Sequence, residues 1–232
     1  MHRPPEFGIE VAGPTSRLSN PADWPVTFIF RTPGSPGCTA TAIGSQAVLT
    51  AAHCLAADSS GTLIIDQQQR PVNCSRHPQW PRVGTADFAL CYVDSALPAP
   101  TGGFESLTFD AAAVVVQTEI TLLGFGCRFD GSPGFGLLAE GIANAIAVTT
   151  ESIDTGAGST LCTGDSGGAA YLATGTYAGR RRVVALNHAS DSVHSVLSRI
   201  THPEFRNWAT QWSRTTGARL CGLDPAAAGC RP

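Results

Sequence analysis

An all-β fold closed by one terminal helix is what this sequence predicts. Three observations carry the prediction. Short runs rich in β-branched and aromatic residues recur along the chain, and turn-forming residues separate them. The composition agrees: 25 glycines and 16 prolines supply turns, and only 14% of the 232 residues are charged. Near the C-terminus, a single segment carries a clear helical stripe. The length suffices for one large domain or two small ones with a real core.

Taken in order, residues 1–23 are rich in Pro, Gly and Ser and show no period, so they read as an N-terminal segment. Val26–Arg31 is the first expected strand. Gly34, Pro36 and Gly37 then mark a turn. Cys38–Ile43 and Gln46–Thr50 follow as strands joined by Gly44-Ser45. Thr62–Asp66 is a further short strand, and the apolar run Phe88–Val93 reads as a buried one. Ala96–Phe104 clusters Pro and Gly and is the best linker candidate. Beyond it, strands are expected at Glu119–Phe125, Gly141–Thr149, Ala169–Leu172, Arg182–Asn187 and Ser195–Ile200. The arginine run 180–182 follows a Gly-containing turn and reads as a solvated hairpin tip. Thr201–Trp212 is the expected helix. Thr201 and Glu204 have capping-box spacing, and Pro203 falls in the tolerated first turn. Phe205, Trp208, Ala209 and Trp212 form its apolar stripe, which reads as core.

Charge and hydropathy exclude several classes of function. A net charge of −3 leaves no footprint for nucleic acid. No apolar run is long enough to cross a membrane as a helix. The start, Met-His-Arg-Pro-Pro-Glu, lacks the apolar core of a signal peptide, so either a mature form with an added Met1 or a protein never secreted is expected. All 15 basic residues are arginine, a composition that suits a high-GC bacterial source. Eight cysteines with no CxxC pair argue for disulfides rather than zinc, and hence for a secreted or periplasmic protein.

Chemistry concentrates in Gly164-Asp165-Ser166-Gly167-Gly168. Glycines let the backbone turn tightly around the serine, and inward-turned N–H groups can stabilise a developing oxyanion. A serine hydroxyl is a weak nucleophile and needs a base. Upstream stand Thr50-Ala51-Ala52-His53-Cys54 and Asp87-Phe88-Ala89-Leu90. An imidazole titrates near neutrality, so it can take and return a proton. Four other histidines, His2, His77, His194 and His202, read as structural or surface residues.

The three motifs, in the order His, Asp, Ser, resemble the trypsin/chymotrypsin family of serine proteases, as a bacterial-type member, from about Trp24 to the terminal helix. The resemblance implies two perpendicular antiparallel β-barrels with a C-terminal α-helix. Residues 24–103 would form the first barrel, carrying His53 and Asp87. Residues 104–232 would form the second, carrying Ser166, the helix and the tail. It implies that Ser166 attacks, His53 shuttles the proton and Asp87 orients it, with Asp66 and Asp94 as lesser candidates. Gly164 and Ser166 would supply the oxyanion amides. The chemistry implies a protein or peptide substrate and no metal or organic cofactor.

Further expectations follow from the same resemblance. Cys38 and Cys54 match the bridge that staples the histidine loop, and Cys162 matches a bridged cysteine. The usual partner of Cys162 is missing, and Cys127 is the substitute. Cys221 and Cys230, close in sequence, would close a tail loop, which leaves Cys74 with Cys91. Thr160 stands at the floor of the substrate pocket, and Asn187-His188-Ala189 at its wall where Ser-Trp-Gly is usual. With no acidic floor and a methyl group at Ala189, a small or medium apolar P1 residue fits. A protonated His188 near Thr160 would instead favour an acidic one. Asn187 replaces the serine that usually supports the catalytic Asp. Asp165 would pair with an ammonium released on zymogen cleavage. Gly8-Ile9-Glu10-Val11 is the nearest start sequence, and a different cation or a precursor chain remain open. The contrasting reading is a non-catalytic or partner-activated binding module on the same scaffold, served by an activating protease or partner protein.

Overall fold

The computed structural model describes residues 11, 13–35, 37–56, 59–126, 136–173, 180–191 and 193–232. Among them are thirteen strands and one α-helix. Six strands close a first barrel in the order β2-β3-β4-β7-β6-β5. They are β2 (Thr27–Arg31), β3 (Cys38–Gly44), β4 (Ala47–Thr50), β5 (Ser60–Ile65), β6 (Gln68–Arg76) and β7 (Ala89–Tyr92). A second barrel runs β8-β9-β10-β13-β12-β11 and back to β8, with the two-residue β1 (Arg17–Leu18) added on β9. Its strands are β8 (Glu119–Gly124), β9 (Ala139–Val148), β10 (Ser152–Gly156), β11 (Ala169–Leu172), β12 (Arg182–Ser190) and β13 (Ser195–Arg199). Every strand pairing is antiparallel, so the all-β expectation of two barrels and a terminal helix holds.

The hydrophobic residues sort into three clusters with distinct tasks. One fills the first barrel, around Val26, Phe30, Ala40, Val48, Leu63 and Cys91. Another fills the second, around Ile120, Leu122, Ile153, Val184 and Leu197. The third draws on both barrels and the helix, including Leu49, Phe88, Leu123, Tyr171, Phe205 and Trp212. It is this shared core that fixes one barrel against the other, and the site lies across that joint.

Several elements depart from the sequence expectations. Strand β6 was not foreseen, because only Val72 of its nine residues is buried and Pro71 interrupts it. Its hairpin to β5 turns through Asp66 and Gln67, both at positive φ, as a two-residue turn of the right twist requires. Asp66, a lesser candidate for the orienting carboxylate, is therefore a turn residue. Strands β1 and β10 are short and offer too few alternations to be read.

The helix α1 spans Phe205–Thr216, not Thr201–Trp212. Pro203 disfavours helical geometry in the residue before it, so the helix begins beyond the proline. Glu204 takes the N-cap with no side-chain cap bond, and Thr201 Oγ1 makes no hydrogen bond, so the capping box does not form. The far end runs on to Gly217, whose φ of 76° makes the left-handed cap. The arginine run is corrected too. Arg181 is not a solvated tip: it donates from Nε (2.9 Å) and Nη2 (2.7 Å) to Glu105, which is wholly buried.

Disulfides join Cys38–Cys54, Cys74–Cys91 and Cys221–Cys230, as expected. Cys162 is also disulfide-bonded, while its expected partner Cys127 lies outside the described residues.

Candidate active site

Strand β4 delivers His53. The chain leaves β4 at Thr50 and makes one 3-10 turn over Ala52–Cys54, and the Cys38–Cys54 bridge ties that turn back to β3. Arg76, at the end of β6, braces the loop from the other side. Its guanidinium donates to the carbonyls of Ala52 (3.1 Å), Leu55 (2.7 Å) and Ala56 (2.7 Å). The imidazole itself is about one-third exposed, its side chain retaining 32% of its surface.

Asp87 lies just before β7 and is fully buried. Its Oδ1 accepts the backbone N–H of His53 at 2.8 Å, and its Oδ2 lies 2.5 Å from His53 Nδ1. An ionised carboxylate only accepts, so His53 carries its proton on Nδ1 and leaves Nε2 free as a base. The same Oδ2 lies 2.6 Å from Nδ1 of His188, which comes from β12 of the other barrel. Burial on its own pushes the Asp87 carboxyl upward, but hydrogen bonds from His188 and His53 outweigh it and hold the group below its usual range. Trp80 borders both rings, at 6.3 Å from His53 and 6.0 Å from His188.

The Ser166 turn is pressed against the strands that carry the histidine. Thr39 of β3 donates its N–H to Ser166 O at 2.8 Å and its hydroxyl to Gly164 O at 2.9 Å. Gly167 has φ +78°, and a Cβ there would stand 2.2 Å from Thr50 Oγ1 and 2.7 Å from Ala51 N. Only glycine lets the serine turn approach the end of β4 so closely. Gly164, also at positive φ (106°), and Ser166 keep their amides unbonded among the described residues. No hydrogen bond joins Ser166 Oγ to His53 among the described residues. Such contacts are often loose in the absence of substrate.

Asp165 is buried and accepts the amides of Gly126 (2.8 Å, Oδ1) and Cys162 (2.9 Å, Oδ2). Ile9, its expected partner in one reading, lies outside the described residues. Thr160 is buried, and beside it the amide of Leu161 donates to Ser195 Oγ at 2.9 Å. Asn187 is buried and gives its amide to the carbonyls of Leu123 and Asp165, both at 3.0 Å. It therefore braces the serine turn, and the bond to Asp87 comes from His188 one residue on. Ala189 is exposed. Sequence reasoning overlooked Arg76 and Trp80, since each is distant in the chain and neither belongs to a motif. The ligating atoms of His53, Asp87 and His188 lie within 4.8 Å of one another. Both imidazole Nδ1 atoms are already engaged by one carboxylate oxygen, so the donor set is arranged for proton bonds.

Comparison with known proteins bears on the fold. A family model described as Trypsin matches residues 13–209. No curated protein is significantly similar in sequence. Among solved structures, the VesB protease of Vibrio cholerae superposes with a TM-score of 0.65 at 19% identity, covering 87% of this chain and 68% of that one. A mutant of human heparin binding protein gives a TM-score of 0.71 at 16% identity, covering 89% and 99%. The secreted serine protease VesC of Vibrio cholerae gives 0.66 at 16% identity, covering 85% of this chain and 48% of that one. At these identities the likeness shows a shared fold.

Proposed function

This chain belongs to the trypsin family, and we propose that it is a serine endopeptidase that cleaves protein or peptide substrates through an acyl-enzyme. The observation that carries the proposal is the buried Asp87 holding His53 with Nε2 free, beside a serine turn packed on the strand that delivers His53. Ser166 Oγ attacks the scissile carbonyl as His53 takes its proton. The amides of Gly164 and Ser166 hold the resulting oxyanion. Collapse breaks the C–N bond, and His53 returns the proton to the leaving amine. Water then attacks the ester by the same route and frees the serine.

Thr160 and Ala189 define the specificity pocket in this reading, while Asn187 is committed to the serine turn and His188 to Asp87. With Nδ1 of His188 spent on Asp87, a small or medium apolar P1 residue is favoured over an acidic one. Disulfides and the secreted neighbour VesC support residence outside the cytosol. A precursor activated by cleavage is consistent with the buried Asp165.

A fluorophosphonate forms a covalent adduct only with an activated serine. Stoichiometric labelling of the chain, read by intact mass and lost in Ser166→Ala, is the expected result, with turnover abolished and the fold intact. Labelling absent before and after treatment with activating proteases would leave the second reading, a binding module. That reading is favoured by the fold shared with a heparin binding protein.

A further inference from the structure

We infer that His188 is a positioning residue of the catalytic site, a second imidazole that clamps Asp87 from the opposite barrel; the inference rests on the serine protease reading for its kinetic consequence and on geometry alone for the contact. Asp87 Oδ2 accepts from Nδ1 of His53 at 2.5 Å and from Nδ1 of His188 at 2.6 Å. The two rings meet edge to face, 6.0 Å between centroids. Neither neighbour of His188 performs this task. Asn187 is committed to Leu123 and Asp165, and Ala189 has no polar side chain.

The arrangement has two physical effects. A carboxylate gripped on one side only can rotate about its last bond. With His53 N–H on Oδ1 and two imidazoles on Oδ2, its plane is fixed, and so is the ring of His53. The carboxylate also shares its negative charge between two donors. One ring from each barrel is thereby held against the same oxygen. The titratable groups facing Asp87 are His53, from the turn after β4, and His188, from β12; Trp80 borders both and does not titrate. The clamp also crosses the joint between barrels, so it reports on their docking.

Two measurements on the full chain test this. The first needs no activity. Proton NMR with nitrogen-labelled histidine should show two far-downfield Nδ1 protons, both lost in Asp87→Asn. His188→Phe should remove one and shift the other. A single such proton in the wild-type chain overturns the inference, whether or not the chain is a protease. The second is kinetic. His188→Phe should lower kcat about 10- to 100-fold, as expected for one hydrogen bond to a charged group, with KM within about twofold. His188→Asn, which keeps an N–H near the Nδ1 position, should restore kcat to within about threefold of wild type. A change in KM alone would make His188 a substrate contact and overturn the positioning role, as would an unchanged kcat in His188→Phe. Absence of serine labelling in the wild type before and after treatment with activating proteases, with two downfield protons present, would defeat the protease reading and leave the clamp standing.

Discussion

A buried carboxylate is costly unless hydrogen bonds satisfy it, and Asp87 is satisfied three times over, by one amide and two imidazoles. The consequence is a proton that the folded chain takes up less readily than the unfolded chain. On acidification the unfolded state therefore binds the proton first. The stability that Asp87 contributes is fully present above the ordinary carboxylate range and is lost as pH falls through the depressed native value. Asp87→Asn should shallow the fall of stability below about pH 4, measured by urea unfolding across pH. It should also lower kcat by about four orders of magnitude, because the amide no longer fixes the required tautomer of His53. Unchanged turnover in that variant would remove Asp87 from the mechanism.

At the scale of an element, the terminal helix docks over two buried imidazoles. His77, just beyond β6, and His202, just before α1, are both buried, with centroids 5.5 Å apart, and Trp208 of α1 lies 5.1 Å from His77. Burial lowers the pKa of each, and for His77 the charge of His202 adds to it. Nearby Glu204, and Glu151 for His202, act in the opposite direction without prevailing. Both groups stay neutral in the folded chain at pH values where the unfolded chain protonates them. Stability should thus fall as pH drops below about 6.5 and continue to fall down to the lowered native values. Hydrogen exchange should show the amides of α1 losing protection over that window. The double variant His77→Phe, His202→Phe should flatten the response; an identical pH slope would show that other groups set it. The histidines read as structural from sequence are structural at this helix, with a titration attached.

Across the whole molecule, Glu105 ties together three distant parts of the chain. It follows the connection between barrels, and its amide donates to Ala42 O of β3 at 3.2 Å. Its carboxylate takes two bonds from Arg181 and lies 3.4 Å from Arg231 of the tail. Arg181 in turn stacks over Trp24, 3.8 Å from the ring centroid. The tail is held further by the Cys221–Cys230 bridge and by the Arg231 amide on Phe104 O at 2.7 Å. Removing one partner of a buried ion pair leaves the other uncompensated. Glu105→Gln should cost about 3–5 kcal/mol, read as a lower urea midpoint with an unchanged m-value. A shift below about 1 kcal/mol would mean that the arginines re-solvate freely.

Two kinds of information meet in this protein. Strands with β-branched runs, the turn residues, the apolar stripe of the helix and the local spacing of His53, Asp87 and Ser166 in their motifs were legible in the chain itself, because each depends on neighbours within a few residues. The polar strand β6 was not, since it is held by pairing with β5 and β7 and not by its own pattern. Nor was the late start of α1, which a single proline imposes against an otherwise regular stripe. Arg76, Trp80 and the inward turn of His188 escaped for a stronger reason. Their roles depend on contacts between residues 20, 27 and 101 positions apart or more, across strands and across barrels. Residue type and motif order pointed to the groups proposed to carry the chemistry. Tertiary packing alone decided which of them share one carboxylate oxygen, because hydrogen bonds act over a few ångströms of space and are indifferent to distance along the chain.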